Sequence, residues 1–262
     1  MPAPLITLTT DFGLSDPYVG VMKGVILSIC PRARIVDISH GVGAFEIVEA
    51  AFTISQAYRY FPRGAVHVVV VDPGVGTSRR PIMAQAGGQH FIAPDNGALS
   101  MIYAREKHNV RAIVNARYFL LPVSNTFHGR DVFAPVAAHL ASGVAAPRFG
   151  KLIADYLRLD FDKPARTGRR AWTGAILKVD RFGNLVTNFS AADFPDLDKR
   201  AFEMAAGPQR IHVFARHYAE RGPGEPFLIM GSTGYYEISV GQASAAKTLG
   251  CAAGAPLELT LF

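Results

Sequence analysis

The stretch Val68–Arg80, VVVVDPGVGTSRR, decides the fold and points to the site. Its consecutive valines are typical of a strand that is buried on both faces of a sheet. The strand must end at Asp72-Pro73-Gly74, because proline lacks the N–H that a ladder needs and glycine permits turn conformations. Asp72 is therefore predicted at the carboxyl end of a central strand, where open α/β sheets bind ligands. Arg79 and Arg80 follow in the same loop, although a plain turn with two surface arginines fits the spacing equally well.

Composition indicates a globular protein with a sizeable core. The 262 residues are 49% hydrophobic and 10% aromatic, which suits one large domain or two smaller ones. No apolar run approaches the roughly 20 residues that span a bilayer, and the first residues lack the basic region of a secretion signal. Cys30 and Cys251 cannot form a disulfide framework, so we expect a cytoplasmic location and no membrane partner.

The net charge of +6 raises the alternative of a nucleic-acid-binding protein. The charge is diffuse, however, and its densest cluster, Arg166, Arg169 and Arg170, falls in a predicted linker. No RRM, zinc-finger or helix-turn-helix pattern accompanies it, so we expect no nucleic-acid partner. The histidines have no paired ligand spacing and neither cysteine has a CxxC neighbour, so we also expect no metal site.

Strands alternate with helices over the first part of the chain. This pattern predicts an N-terminal α/β domain, residues 1–150, with a mostly parallel sheet between two layers of helices. The predicted strands are Leu5–Thr9, Arg34–Ile38, Val66–Val71, Ile82–Ala86, His90–Ala93 and Val110–Asn115. The predicted helices are Tyr18–Ile29, Phe45–Tyr60, Ala98–Arg105 and Val132–Ala141.

The pattern changes after Gly143. Residues 151–170 are rich in charges and weakly periodic, which favours a linker. Residues 171–262 alternate short strands with turn residues, which predicts a smaller, mainly antiparallel C-terminal β domain resembling a barrel. Its predicted strands are Gly174–Val179, Leu185–Asn188, Arg210–Val213, Pro226–Met230, Tyr236–Val240 and Leu257–Leu261, with a short helix at Ala243–Leu249.

Several polar residues are predicted on one rim of the first domain. Asp11, Asp72, Asp95 and His128 all follow strands or lie at loop–helix junctions, and such positions converge at one edge of a parallel sheet. A single acid there is as often a helix cap, but several together favour a ligand site. In the second domain, the stretches 180–184 and 231–235 are polar turns, and on its own each is better explained as a simple connection between strands.

Together these stretches identify a family resemblance. TLTTDFG (7–13), VVDPGVGTSRR (70–80), APDNG (93–97), TFHGRD (126–131), VDRFGNLVTN (179–188) and GSTGYYEI (231–238) occur in this order over nearly the whole chain. The sequence resembles the adenosine-forming S-adenosylmethionine hydrolases, also named S-adenosylmethionine hydroxide adenosyltransferases, which are relatives of fluorinase and chlorinase. The resemblance implies an enzyme that hydrolyses S-adenosyl-L-methionine to adenosine and L-methionine.

The resemblance also implies the residues of the site. The water-using members carry an Asp–Arg–His trio that falls on Asp72, Arg79 and His128, with Arg80 as the alternative arginine. The halide-using relatives carry tyrosine at the Asp72 position and a Tyr-Ser pair at His128-Gly129, so this chain resembles the water-using group. The implied substrate-binding residues are Asp11 for the ribose, Phe127 near the reacting carbon, Asn184 and Tyr218 for the adenine, and Asp180, Ser232 and Glu237 for the methionine part.

The implied chemistry is an in-line attack of activated water or hydroxide on C5′ of a sulfonium. Because methionine departs as a neutral thioether, the resemblance implies no metal and no cofactor. It also implies a homotrimer with sites between neighbouring subunits. Ser244 stands where many relatives have asparagine, which leaves the adenine contacts open. The alternatives are a halide-using transferase and a non-catalytic protein that binds adenosine or S-adenosylmethionine.

Overall fold

The computed structural model describes residues 3–161 and 163–262. The chain divides into two compact units, Met1–Leu159 and Asp160–Phe262. The α/β class predicted for the first unit and the β class predicted for the second are both confirmed. Among the described residues, no helix combines the length and the apolar character that crossing a membrane requires.

The described part of the first unit contains seven strands in one sheet, with helices on both faces. The strands are β1 (Leu5–Thr10), β2 (Arg34–Ser39), β3 (Val66–Val70), β4 (Pro81–Ala86), β5 (Gln89–Pro94), β6 (His108–Ala112) and β7 (Leu152–Ile153). The helices are α1 (Tyr18–Ile29), α2 (Ile47–Ala57), α3 (Ser100–Arg105) and α4 (Ala134–Ala141). The strand order is β2-β1-β3-β5-β4-β6-β7.

The parallel pairings lie in one half of this sheet. Strands β2, β1, β3 and β5 pair in parallel, whereas the hairpin of β4 and β5 turns the other half antiparallel. The predicted hairpin is thus confirmed, and the parallel half is the part that can carry a site at the carboxyl ends of its strands.

Strand β3 owes its central place to its valines. Val66, Val68 and Val70 pack with α1 and α4, whereas Val69 and Val71 pack on the opposite face with α2 and α3. Each of these side chains is at most 2% exposed, and burying a valine contributes about 1.5–3 kcal/mol. Their consecutive order therefore fixes a strand that is covered on both faces.

Helix α2 begins later than the predicted Phe45–Tyr60. It starts at Ile47, because Phe45 adopts a left-handed conformation with φ of 68° and its N–H donates to Asp11 Oδ2 at 2.9 Å. A tight 3-10 turn, Tyr58–Tyr60, follows its last residue, Ala57. Helix α4 is likewise shorter than predicted, because the π-helical turn Gly129–Phe133 precedes it.

The described part of the second unit contains nine strands in one mainly antiparallel sheet, which curls into half a barrel. The strands are β8 (Ala165–Arg166), β9 (Ala171–Val179), β10 (Leu185–Ser190), β11 (Phe202–Ala206), β12 (Gln209–Ile211), β13 (Phe214–Ala215), β14 (Pro226–Met230), β15 (Tyr235–Val240) and β16 (Pro256–Leu261). The helix α5 spans Ala245–Leu249. The predicted strand Arg210–Val213 is wrong in its bounds, since β12 and β13 flank a break at His212-Val213, and β11 was not predicted.

Candidate active site

The ends of two neighbouring parallel strands bring Asp11 and Asp72 to the same edge. Thr10, the last residue of β1, pairs with Val70, the last residue of β3. Asp11 follows Thr10 directly and Asp72 lies two residues beyond Val70, so both carboxylates extend from the carboxyl edge of the sheet. The structure thus places these two predicted residues together.

The loop after β3 folds back so that Arg79 contacts Asp72. Arg79 Nε donates to Asp72 Oδ1 at 2.9 Å, and Arg79 Nη2 makes a close contact with Asp72 Oδ2. The two side chains are only 9% and 5% exposed, so the ion pair lies largely away from water. Gly76 permits this path: its φ is 78°, and a Cβ atom there would overlap the carbonyl oxygen of Asn125.

His128 is the third member of this cluster. Arg79 Nη2 lies 2.6 Å from His128 Nδ1, and because a guanidinium can only donate, Nδ1 must accept. Burial and the nearby Arg79 charge lower the pKa of His128 below its ordinary value, against smaller opposing effects of Asp72, Asp131 and a hydrogen bond with the Ser124 backbone. His128 is therefore a neutral imidazole at physiological pH, with its proton assigned to Nε2 by this hydrogen bond.

One nitrogen of Arg79 is left over. Arg79 Nη1 is buried and has no hydrogen-bond partner among the described residues. A buried guanidinium N–H without an acceptor is costly, about 1–3 kcal/mol or more for a charged group. The guanidinium lies 5.4 Å from the centroid of the Phe133 ring, and Nη1 is an unpaired buried donor that no residue of the described part of the chain satisfies.

A cavity of about 640 Å³ opens over the cluster. Asp11, Asp72, Phe127 and His128 all line it, as predicted for parts of one site. Phe12, Tyr18 and Phe127 form a mutual aromatic contact along its wall, with ring centroids 5.1–5.9 Å apart. The volume and the mixed aromatic and charged lining fit a small organic ligand.

Sequence reasoning missed other residues at this cavity. Tyr18, Phe45 and Arg130 also line it, and Phe45 is 68% exposed. The sequence gives no sign of Tyr18, which lies in an ordinary helical pattern. Phe45 is the first residue of the predicted helix Phe45–Tyr60, so its pattern does not indicate a site. Its left-handed backbone is accompanied by a hydrogen bond from its N–H to Asp11.

Arg80 points to a different part of the first unit. It pairs with Asp95 Oδ2 at 2.7 Å and with Asp155 Oδ1 at 3.0 Å. Asp95 also accepts from the Leu157 N–H at 2.8 Å, so this carboxylate is engaged in holding the segment around residue 155. The geometry thus places Arg79, and not Arg80, against Asp72 and His128.

In the second unit, Asp180 and Asn184 lie in one turn. Asp180 Oδ1 accepts from the backbone N–H groups of Phe182 and Asn184, each at 2.8 Å, and its Oδ2 accepts from Asn184 Nδ2 at 2.9 Å. Asn184 is only 6% exposed, so its amide is held in one orientation by this network. With Nδ2 engaged, the Asn184 carbonyl oxygen is the group that can accept from a ligand.

Tyr218 and Glu237 form a second polar pair in the same unit. Tyr218 Oη donates to Glu237 Oε2 at 3.0 Å. Burial raises the pKa of Glu237, and the charge of Asp180 adds to this while the bond from Tyr218 opposes it. Burial and the nearby Glu237 and Asp180 raise the pKa of Tyr218 to about 12. The predicted residue Ser232 is exposed in the turn between β14 and β15, next to Gly231, which packs closely against Glu237.

No group of three or more His, Cys, Asp or Glu side chains is arranged to hold a metal ion in residues 3–161 and 163–262. The expected absence of a metal and a cofactor remains a prediction.

Comparison with known proteins agrees with the motifs over both units. The family model described as the SAM hydroxide adenosyltransferase N-terminal domain matches residues 6–150, and the corresponding C-terminal domain model matches residues 174–258. A protein of Salinispora tropica named (R)-S-adenosyl-L-methionine hydrolase is 36% identical over 99% of this chain and 98% of its own length. A protein of the same name from Thermus thermophilus is 34% identical over 95% of this chain and 97% of its own length.

A solved structure supports the same relationship. The crystal structure of an uncharacterized conserved protein from Thermotoga maritima matches with a TM-score of 0.88 and 36% identity, covering 97% of this chain and 99% of that one. With two domain models matched in order and full-length relatives above 30% identity, the chain belongs to the SAM hydroxide adenosyltransferase family.

Proposed function

We propose that the protein hydrolyses S-adenosyl-L-methionine to adenosine and L-methionine. The observation that carries this proposal is the buried Asp72–Arg79–His128 cluster under the cavity that Asp11 also lines. Such a cluster supplies oriented donors and an acceptor for a water molecule, and membership of the family supplies the class of substrate.

The reaction needs little help with its leaving group. Water oxygen attacks C5′, the C5′–S bond breaks, and its electron pair returns to sulfur, so that methionine leaves as a neutral thioether. The proton that water loses passes to a carboxylate or to solvent. For this reason we propose that neither a metal nor a cofactor takes part. The main task is to hold a weak nucleophile in line with the C–S bond.

Arg79 is the centre of the proposed water site. Its Nη1 lacks a partner among the described residues, and Arg79 is not itself a lining residue of the cavity, so our proposal that Nη1 donates to the attacking water or hydroxide requires this water to reach it past Asp72 and His128. Asp72 holds the guanidinium from one side and His128 Nδ1 from the other. In this arrangement we propose that Asp72 accepts the proton of the attacking water, and that neutral His128 keeps the Arg79 side chain in place.

The remaining predicted residues are proposed to hold the substrate. Asp11 uses Oδ2 for the Phe45 N–H, so Oδ1 is available for ribose hydroxyls, and Phe127 packs near C5′. The Asn184 carbonyl is proposed to accept from the adenine amino group, with Tyr218 stacking on the base. The methionine part is proposed to contact Asp180, Ser232 and Glu237.

We further propose that the protein is a homotrimer whose sites form between neighbouring subunits, and that it acts in the cytoplasm. Both cysteines are free thiols, which suits a reducing compartment.

The trimer is tested by mixing two inactive variants, Asp72→Asn and Asn184→Ala, after partial unfolding and reassembly. Random mixing gives about three quarters of trimers that contain both variants, and in each of these one site of the three joins two unaltered units. Activity should therefore return to about a quarter of the wild-type value. No recovery would contradict a site shared between subunits.

The activity itself is tested by incubating the protein with S-adenosylmethionine and separating the products by chromatography. We expect equal amounts of adenosine and methionine, no dependence on halide, and no loss of rate with a chelator. His128→Ala should lower adenosine formation at least about tenfold, which is the low side of acid–base and positioning effects. Halogenated nucleoside in place of adenosine would support a transferase instead, and tight binding without turnover would support a binding protein.

A further inference from the structure

One wall of the cavity is formed by a single chain segment, and hydrogen bonds to the buried residue Asp131 fix this segment in place. Residues 124 and 126–130 all line the cavity, whereas Asp131, the next residue, does not and is fully buried. Asp131 Oδ2 accepts from the Ser124 N–H at 2.8 Å, and its own N–H donates to the Phe127 carbonyl at 3.2 Å. Its carbonyl accepts from the Leu120 N–H at 2.9 Å. Asp131 thus holds the segment at Ser124 and at Phe127, and it also holds the preceding chain at Leu120.

Arg130 completes this contact from the cavity side. Its Nε donates to Asp131 Oδ1 at 2.6 Å and its Nη2 to Asp131 Oδ2 at 2.9 Å. Adjacent residues do not face each other on an α-helix, and here the π-helical turn Gly129–Phe133 allows the pair to form. The Arg130 guanidinium also lies 5.3 Å from the centroid of the Phe127 ring. One charge pair therefore supports both the backbone of the segment and its aromatic side chain.

His128 is the residue that this support controls. It lies between Phe127 and Gly129, and a Cβ atom at Gly129 would come within 3.1–3.4 Å of Phe127, Met22 and Phe12, so the segment has little freedom there. His128 also bonds the Ser124 backbone, which Asp131 anchors. A shift of Ser124 would therefore move the imidazole that contacts Arg79.

We propose that Asp131 is a positioning residue, which fixes the 124–128 segment so that His128 Nδ1 accepts from Arg79 Nη2. The role rests on the proposed hydrolysis for its kinetic consequence, but the placement of His128 is measurable without any reaction. Asp131 touches neither the cavity nor the reacting atoms, and it acts through Ser124, Arg130 and His128.

The test is Asp131→Asn, which keeps one acceptor oxygen but removes the charge and the fork to Arg130. We expect kcat to fall at least about tenfold, because displacing a catalytic group by about 1 Å can lower the rate up to about a hundredfold. The dissociation constant of adenosine should change less than about threefold. NMR titration should show a higher pKa for His128, because the displaced imidazole loses its contact with Arg79, whose lowering effect is larger than the raising effect of the Asp131 charge. The acid limb of kcat/KM should move to higher pH with it, whereas a lower pKa would show loss of the Asp131 charge without displacement of His128. Arg117→Gln, which changes an exposed arginine in the same unit, is the matched control for Arg130→Gln below and should leave both readouts unchanged.

Arg130→Gln provides a second variant if Asp131→Asn does not fold, because the Arg130 side chain is 35% exposed. It should lower kcat in the same direction, and Arg130→Lys should recover little, since lysine cannot form the fork. A folded, active Asp131→Asn with wild-type kcat and an unchanged His128 titration overturns the positioning role. A wild-type protein that makes no adenosine refutes the proposed function instead, and the His128 titration then decides the positioning role alone.

Discussion

Replacing Asp72 with asparagine should destabilise the first unit and abolish most of the activity. The Asp72 and Arg79 side chains are 5% and 9% exposed, so the variant leaves a buried guanidinium without its counter-charge. Removing one partner of a buried pair costs about 3–5 kcal/mol, and because His128 still accepts from Arg79 we expect the lower end, about 3 kcal/mol. For a unit of this size that loss corresponds to a fall in Tm of about 6–12 °C.

The double variant Asp72→Asn/Arg79→Met separates stability from chemistry. It removes both charges and fills the space with an apolar side chain, so more than half of the lost stability should return. Adenosine formation should stay at least about tenfold below wild type in both variants, because the water site is absent in each. Asp155→Asn is the matched control: it also removes the carboxylate partner of an arginine, but Asp155 is 77% exposed and the change should stay within about 0.5 kcal/mol.

Urea unfolding and thermal unfolding, both followed by circular dichroism, measure the free energy of unfolding and Tm, and chromatography of the products measures the activity. A single variant with wild-type Tm would show that the pair is not buried as described. A double variant with restored activity would show that Asp72 and Arg79 serve only the fold.

Three further predictions concern the loop, the ribose contact and the core. Gly76→Ala should lower activity far more than Gly64→Ala: both glycines have positive φ, but only at Gly76 would a Cβ atom meet backbone, and equal effects would contradict this. Asp11→Ala should raise the dissociation constant of S-adenosylmethionine about 10–100-fold in calorimetry, because this factor corresponds to the free energy of hydrogen bonds to a charged group. An unchanged constant would exclude the ribose contact. Burial lowers the pKa of His67 from 6.5 to about 4. Stability that is complete above pH 6.5 should therefore fall by up to about 3 kcal/mol as the pH approaches 4, and His67→Asn should lose this dependence in urea titrations at each pH.

The sequence predicts the part of this site that depends on local pattern. The valine run and the abrupt Asp72-Pro73-Gly74 stop place Asp72 at a strand end, and parallel pairing then places Asp11 beside it. The choice between Arg79 and Arg80 is different, because both lie in one loop. It depends on Asp95 and Asp155, which are distant in sequence and draw Arg80 away.

Other features depend on contacts that no pattern reveals. Phe45 has a helical neighbourhood in the sequence, and only its bond to Asp11 explains why the helix starts later. Asp131 belongs to a quoted motif, but its support of Ser124 requires a π-helical turn that has no hydrophobic period of its own. In the second unit, Arg210–Val213 has the composition of one strand, whereas β12 and β13 join different parts of the sheet.

The most direct test of the proposed hydrolysis is isotope labelling of the product. The protein is incubated with S-adenosylmethionine in ¹⁸O-water, and adenosine is analysed by mass spectrometry with fragmentation of the ribose. Attack of water on C5′ predicts one ¹⁸O atom at the 5′ hydroxyl, unlabelled methionine, and at least about tenfold less labelled adenosine when Asp72→Asn replaces the wild type at equal time. Adenosine without ¹⁸O, or no adenosine at all from folded wild-type protein, would contradict the proposal that this cluster delivers water to C5′.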